Sequence, residues 1–590
     1  MPQATKISRK LHKLTYATQA LEQMARLWGI STDNHQSDFD KAIENQILYD
    51  EHTFGIAMTH GGQQTWKYGE DFEIAKSLGH YDYAETSWQE KGNRIEQAER
   101  IIEPIKRNTL SKIAEQLPIE GKKVLAYNPN TWLRNGRVEF FLGVYAKNFT
   151  IYALKDAVTG EIIPAYNDGN LLSFDAQQIP PMGYKSYEVI TNPIELARSS
   201  KVDSQLLTME NKYYHLQIDP KKGTIKSLWD KEMQKEVVQQ NSVFGFGEYI
   251  HDFYGQDDIN NYNHTYVKHG AEHWAYDEMV RPYTTHKKRL TNTGKVEKIV
   301  CRDIKNGVQI HIFGSTNETT PQKYILTYSM YDNQKYVDIN FGMISKHPDA
   351  RPEGGWLAFP FNIEQPLYKV QRLGGIVNPA KDFVPHTNRH YFYLHSSIAL
   401  LNGNEGFALD APDAPGISLD ERGLFKFCHK FTPKTGLVFA NLYNTQWGTN
   451  FTEWTDCGFH VSYRIRSFAT YDSAKNLTHP SEESRLPLMG CYADTPKGYL
   501  PISHKGFAIN KAGVCITSLN KTPQGTILRL WEQTGKEQQI ILTTPQECKA
   551  KNAIFLDLRN RPLDIMRPIN GHQLTIKIPS NTPITLLLVD

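Results

Sequence analysis

The chain has 590 residues, which is too long for one small module and enough for about four domains of ordinary size. Its 66 basic and 64 acidic side chains leave a net charge of +2, and no basic stripe runs along the chain, so we expect no nucleic-acid partner. With 39% hydrophobic and 11% aromatic residues, the chain can build large cores, which excludes intrinsic disorder.

No apolar run approaches the ~18 residues of a membrane span, so we expect no contact with a membrane. The first residues, Met1 to Lys6, are followed by no apolar core of a signal peptide. The compartment is therefore open, and it is periplasmic or extracellular if a preceding segment directs export. The six cysteines are widely spread and never form CxxC, which argues against a disulfide scaffold or a zinc knuckle.

The first 116 residues predict a three-helix bundle. Apolar residues recur at helical spacing from Leu11 to Trp28, from Phe39 to Ile47, and from about Asp82 to Ile113. We expect Pro104 to bend the third helix, because proline lacks one backbone donor and clashes with the preceding turn. Such amphipathic helices bury their apolar stripes against each other or against another domain.

From Val124 to the end, the sequence predicts β-structure. Short runs rich in Val, Ile, Tyr, Phe and Thr alternate with polar residues and end at Gly, Pro or Asn-Asp turns. The fold class is therefore α+β, with a helical bundle followed by mainly antiparallel β-sandwiches. Seams in the pattern divide the chain into a helical bundle, a small β domain, a large sandwich and a C-terminal sandwich, at residues 1–116, 117–200, 201–482 and 483–590.

Three polar segments are candidates for a functional site. The first, residues 49–55, places His52 beside carboxylates after an apolar helical stripe. A neutral imidazole there can ligate zinc or transfer a proton, but one histidine does not make a zinc site. The alternative is a helix C-terminus whose histidine interacts with the last carbonyls.

The second segment, residues 245–254, combines glycines with Glu248 and Tyr249 and is followed by further acids and histidines, namely Asp257, Asp258, His264, His269 and His273. Carboxylates and aromatic rings in one polar insertion can line a sugar site. The alternative is a solvated loop. The acids lack the spacing of an EF-hand calcium loop.

The third segment, residues 441–451, is rich in amides and aromatic rings. Trp447 is suited to stack on a sugar ring and Asn450 to bind hydroxyl groups. The alternative is a buried turn whose asparagine side chains satisfy backbone groups. Elsewhere the chain has no nucleophile elbow, phosphate-binding glycine loop, His-Glu-x-x-His or nucleotide fingerprint.

The order of elements and a set of short motifs resemble the C-terminal two thirds of the family 38 glycoside hydrolases, the zinc-dependent α-mannosidases. The motifs are strings that each carry little information alone but occur in the family's order, at 124–132, 179–184, 210–211, 223–232, 444–451 and 527–535. The resemblance implies a large galactose-mutarotase-like supersandwich with smaller sandwiches, and a glycan substrate.

In that family a seven-stranded α/β barrel precedes these domains and supplies a His-x-Asp pair and an Asp nucleophile that bind zinc. The resemblance places His52 at the last zinc ligand, which comes from the helical region, although Thr53 stands where the family often has Asp. Only 51 residues precede His52, so this chain holds neither the barrel nor the nucleophile, and we expect no catalytic residue in it. Zinc is implied only if a barrel completes the site, and the implied reaction is retaining hydrolysis of α-linked mannosides or related glycans.

Three functions remain open from the sequence. The chain is the non-barrel part of an α-mannosidase-like enzyme, inactive without a barrel that lies on another polypeptide or was lost when an open reading frame was split. Alternatively it is a non-catalytic carbohydrate-binding or scaffolding protein. The third possibility is an autonomous glycosidase or lyase that uses acids such as Glu248, Asp252 or Asp258, which requires two carboxylates facing one cleft.

Overall fold

The computed structural model describes residues 2–56, 66–143, 150–266, 284–448 and 450–590. Helices in these residues are α1 (Pro2–Leu27), α2 (Gln36–Asp50), α3 (Gly69–Ser77), α4 (Asp82–Glu115), α5 (Gln256–Tyr266) and α6 (His479–Arg485), the last preceded by a π-helical turn at Ala474–Thr478. The three predicted helices correspond to α1, α2 and α4. Helix α4 continues through Pro104 to Glu115, and none of the described helices is long and apolar enough to cross a membrane.

The β-strands begin after α4. The first group comprises β1 (Gly121–Asn128), β2 (Arg134–Phe141), β3 (Ala153–Asp156), β4 (Ile162–Asp168), β5 (Leu171–Ile179) and β6 (Gly183–Ile190). These strands form one antiparallel sheet in the order β2-β5-β4-β3-β6-β1.

The second group builds a two-layered sandwich. It comprises β7 (Lys201–Asp203), β8 (Thr208–Glu210), β9 (Tyr214–Ile218), β10 (Ile225–Asp230), β11 (Lys235–Glu236), β12 (Glu248–Phe253), β13 (Leu290–Ile304), β14 (Gly307–Thr316), β15 (Lys323–Tyr331), β16 (Val337–Ser345), β17 (Glu353–Glu364), β18 (Leu367–Arg372), β19 (Gly375–Val377), β20 (Tyr391–Tyr393), β21 (Ser397–Asn402), β22 (Glu405–Asp410), β23 (Gly416–Leu419), β24 (Thr435–Asn444) and β25 (Phe459–Phe468). Strands β7 to β11 form one sheet, and β12 to β25 form a large sheet ordered β19-β18-β21-β22-β25-β16-β15-β14-β13-β12-β17-β24-β23-β20. A core of buried apolar side chains from both sheets holds this supersandwich together.

The last group closes the molecule. It comprises β26 (Met489–Thr495), β27 (Ser503–His504), β28 (Ala508–Ile509), β29 (Val514–Thr522), β30 (Gly525–Glu532), β31 (Gln538–Thr543), β32 (Asn552–Leu556), β33 (Pro562–Pro568), β34 (Gln573–Ile578) and β35 (Pro583–Val589). Strand β26 pairs with β1 and β27 with β6, so the chain returns to the first sheet. The remaining strands form two facing sheets, β28-β31-β34 and β29-β30-β35-β32-β33.

One continuous core joins the helices to this C-terminal sandwich. Buried side chains such as Leu21 of α1, Ile102 of α4, Leu519 of β29 and Leu528 of β30 belong to the same apolar cluster. Helix α1 packs directly on β29. The predicted fold class, N-terminal helices followed by antiparallel sandwiches, is confirmed, and α1, α2 and α4 share this core with the C-terminal sandwich.

Candidate functional site

The loop that carries His52 begins where α2 ends. The backbone turns extended at Glu51, whose N–H still donates to the carbonyl of Ile47 and closes the helix. The preceding carboxylate, Asp50, lies 2.6 Å from Nε2 of His12 and accepts a hydrogen bond from Ser8, both on α1. These contacts anchor the end of α2, while the His52 side chain is exposed.

Lys91 of α4 fastens this loop. Its Nζ donates to the carbonyl oxygens of Glu51 (2.9 Å) and Thr53 (3.1 Å) and lies 3.4 Å from Oε2 of Glu51. The pKa of the Glu51 carboxyl is lowered, mainly by the hydrogen bond from the backbone N–H of Thr53 and to a smaller extent by Lys91. The Lys91 side chain is only 10% exposed, so it holds the loop from the buried side, while the His52 side chain is exposed to solvent.

The third candidate segment meets the first at this loop. Nδ2 of Asn450 donates to the carbonyl oxygen of His52 at 2.9 Å. The ring of Phe451 contacts the imidazole edge to face, with centroids 5.5 Å apart, and also contacts Phe54. The structure therefore brings together two motifs that lie 398 residues apart in the chain.

An aromatic cluster supports both segments. Trp454 packs edge to face against Phe72 of α3 and against Tyr81 and Trp88, with ring centroids 5.0–5.1 Å apart. Its indole N–H donates to Glu85 at 2.7 Å, so the loop after β24 is attached to α4. On the other side, a Cβ at Gly55 would lie 2.5 Å from the Trp88 ring, which explains the glycine at the end of the His52 loop.

Trp447 lies in the same loop but contacts a different element. Its ring packs edge to face against Tyr262 and Tyr266 of α5, with centroids 6.1 and 5.9 Å away. The side chain is half-buried. These contacts hold the loop against α5, and stacking of Trp447 on a sugar stays a prediction.

The second candidate segment is different from the predicted polar insertion. Residues 248–253 form β12, a strand buried along its whole length in the large sheet, and residues 256–266 form α5. Tyr249 is 1% exposed, and its hydroxyl lies within hydrogen-bond distance of Gln322 (2.6 Å) and Tyr443 (2.9 Å). Glu248 accepts from the backbone N–H of Gly245 and lies 3.3 Å from Nζ of Lys222. Both side chains are thus occupied within the sandwich; His264 lies on α5, whereas His269 and His273 lie outside the described residues.

The same strand contributes a buried ionic group that the sequence did not reveal. His251 is fully buried, with Nδ1 2.6 Å from Glu318 and Nε2 2.8 Å from Glu353, and Lys346 lies 2.7 Å from the other oxygen of Glu353. Burial disfavours the imidazolium, but the two carboxylates outweigh it and raise the pKa of His251. Its partners lie 67 and 102 residues away, so no local spacing signals the group.

The residues around His52 do not by themselves fit a zinc ion. Throughout the ranges that the structure describes, no three side chains of His, Cys, Asp or Glu converge as a metal site would need. A catalytic zinc takes about three protein ligands, and His52 offers one. Zinc at this loop stays a prediction that depends on ligands from elsewhere.

Comparisons with known proteins find similarity to the glycosyl hydrolases of family 38 in sequence and in fold. Residues 209–420 match the sequence model of the glycosyl hydrolases family 38 C-terminal domain. The fold is similar to that of an alpha-mannosidase from Enterococcus faecalis V583, with a TM-score of 0.67 and 11% identity, over 99% of this chain and 66% of that one. It is also similar to a protein in the glycosyl hydrolase family 38 from Enterococcus faecalis, with a TM-score of 0.68 and 11% identity, over 100% of this chain and 71% of that one.

A structural alignment also relates this chain to a galactose mutarotase-like protein from Lactobacillus casei. It covers 44% of this chain and 99% of that protein, with 13% sequence identity and a TM-score of 0.25. No curated protein sequence matches the chain. The two enterococcal structures establish the fold, and the chain spans about two thirds of their length. Residues 209–420 thus match the family 38 C-terminal domain model, within a chain whose fold is similar to that of the two enterococcal structures.

Proposed function

We propose that this chain is the non-barrel part of a glycosidase of the α-mannosidase type, and that its His52 loop forms one wall of the active site. The observation that carries the proposal is the hydrogen bond from Asn450 to the His52 carbonyl. It joins the two segments that resemble family 38 motifs at one exposed position, the arrangement expected if both face a shared substrate.

The surface around this loop supports a docked catalytic barrel. Large apolar side chains are exposed on the neighbouring helices and just after one of them, at Ile47 of α2 (64%), Ile74 of α3 (56%), Leu78 directly after α3 (66%) and Tyr83 of α4 (77%). Single exposed apolar residues are common, but several on helices that flank one candidate site suit a protein interface. The partner that the proposal requires is a barrel that carries the nucleophile, whether on this polypeptide or on another.

Within that enzyme, this chain positions groups. Lys91 and Asn450 both bind the backbone of the His52 loop, so they set where the imidazole stands. A positioned imidazole can ligate a metal or exchange a proton, and it is useful only if it is held within a fraction of an ångström. The amide of Asn450 therefore acts on substrate through His52.

The test is hydrolysis of 4-nitrophenyl α-D-mannopyranoside by the chain alone and by the chain mixed with a family 38 barrel encoded in the same genome. We expect turnover only in the mixture, and a loss of about 100-fold for His52→Ala, the scale of removing one catalytic or positioning group. The matched control is His386→Ala, an exposed histidine between β19 and β20 of the supersandwich, which should leave the rate unchanged. Turnover by the chain alone that survives His52→Ala contradicts the proposal, as does a mixture indifferent to that change.

A further inference from the structure

A cavity of about 490 Å³ lies where α1 meets the β domains. Its wall includes α1, the 129–132 segment after β1, the end of β18 at Arg372 with Leu373, residues 393–395, α6, and strands β29 and β30. In the described part of the chain, the 51–56 loop contributes nothing to this wall. The cavity is therefore a site distinct from the His52 loop.

Three guanidinium groups line this cavity. Arg485 of α6 is 7% exposed; its Nη2 donates to the carbonyl of Arg9 (2.6 Å) and its Nη1 lies 3.2 Å from the ring of His395. Its Nε has no hydrogen-bond partner among the described residues. Arg9 donates to the carbonyls of Pro412 (2.6 Å) and His395. Arg372 donates to the carbonyl of Tyr393 at 3.2 Å and lies over the ring of Phe383.

Carboxylates compensate these guanidinium groups only without direct contact, Asp413 acting on Arg9 and Glu482 on Arg485. Glu482 is the carboxylate in the cavity wall, and it is engaged by Lys13 at 2.8 Å and by His395 at 3.3 Å. Among the residues that the structure describes, no carboxylate forms an ion pair with Arg9, Arg372 or Arg485. The pKa of Arg9 is lowered to about 9, mainly by burial and also by repulsion from Arg485, while Asp413 acts in the opposite direction. Buried cations without an anionic partner are costly, and a bound anion would relieve that cost.

The rest of the wall suits a ring-shaped ligand. Tyr16 and Tyr393 line the cavity with 36% and 53% of their surface exposed, and Trp132 and Trp531 contribute further rings. Within the part of the chain that the structure describes, the indole N–H of Trp531 has no hydrogen-bond partner. Apolar rings with a few convergent polar groups are typical of small-molecule pockets, and this volume is in their usual range.

We propose that this cavity binds a monosaccharide-sized ligand that carries an anionic group, either phosphate or carboxylate, held by Arg9, Arg372 and Arg485. Guanidinium groups bind both anions through paired, charge-assisted hydrogen bonds. The aromatic side chains contact the sugar ring. The site lies beyond the proposed active-site wall and would tie α1, the supersandwich and the C-terminal sandwich together through one ligand.

The test is isothermal titration calorimetry of the whole chain at low salt with D-mannose 6-phosphate, D-glucuronate and D-mannose. We expect at least one of the two anionic sugars to bind about ten-fold or more tightly than mannose, and the stronger of the two to identify phosphate or carboxylate as the anion. Arg485→Gln should weaken that binding by about ten-fold or more. Because Arg485 is buried and this variant could fail to fold, Arg372→Gln at the end of β18 is the second variant, with the same expectation.

The matched control is Arg561→Gln, which removes an arginine paired with Asp557 in the C-terminal sandwich, outside the cavity, and should leave binding unchanged. The proposal is wrong if neither anionic sugar binds at ~10 mM, if mannose binds as tightly, or if a folded Arg372→Gln protein binds as the parent does. The measurement needs neither a barrel nor turnover, and His52→Ala should not affect it. Its failure is therefore distinguishable from failure of the proposed function.

Discussion

Lys91 binds the backbone of the His52 loop at two carbonyl groups. Replacing it with Met removes the hydrogen bonds to Glu51 and Thr53 and leaves their carbonyls without this donor. We expect a loss of about 1–2 kcal/mol in the free energy of unfolding and faster amide exchange in residues 51–56. Hydrogen exchange with mass spectrometry measures the second effect. Lys112→Met, on the same helix, is the control; equal protection of the loop in both variants would contradict the assignment.

We expect His395 to make the free energy of unfolding depend on pH. Burial lowers its pKa to about 4, although Glu482 opposes the shift, whereas an unfolded chain has the ordinary histidine pKa of about 6.5. The unfolded state therefore binds more protons between these values, and stability present above pH 6.5 is lost as the pH falls toward 4.

Urea unfolding at pH 7.0, 5.5 and 4.5 tests this expectation. The decline between pH 6.5 and 4 should be shallower in His395→Gln than in the parent. His80→Gln, at an exposed position, should keep the parent's decline. Parallel profiles for the parent and His395→Gln would assign the pH dependence to other groups.

At the scale of elements, Trp454 attaches the loop after β24 to helices α3 and α4. It fills the space between Phe72, Tyr81 and Trp88 and is 4% exposed. Trp454→Ala should lower the free energy of unfolding by about 3–5 kcal/mol, because a cavity replaces a large buried ring. Chemical denaturation measures the loss. Trp229→Ala, at a 38% exposed position on β10, should change stability by less than about 0.5 kcal/mol.

At the scale of the whole molecule, the shared core couples the helices to the C-terminal sandwich. Leu519 of β29 is fully buried in the cluster that includes α1. Leu519→Ala should cost about 2–5 kcal/mol and raise amide exchange in α1 as well as in β29, while the supersandwich keeps its protection. Leu563→Ala, 48% exposed on β33, is the control. If α1 stays protected when β29 opens, the two regions are independent.

How much of this could be predicted from sequence depends on the range of the interactions. The 3.6-residue and two-residue periods of apolar side chains are local, so α1, α2, α4 and the β-rich remainder could be predicted. The acids and imidazole of the 245–254 segment indicate a polar loop, whereas residues 248–253 form a buried strand. Distant partners, Glu318 and Glu353, make burial of His251 possible, and no local pattern predicts them. Helix α3, nine residues long, carries too few apolar positions to show a clear period.

The order of short motifs along the chain was enough to indicate the family and the fold class, because both are recorded in local residue patterns. The meeting of Asn450 with His52, the aromatic cluster around Trp454 and the convergence of Arg9, Arg372 and Arg485 on one cavity were decided by tertiary packing. Burial and charge compensation are properties of contacts between remote segments, and such contacts exist only after the sheets and helices have packed.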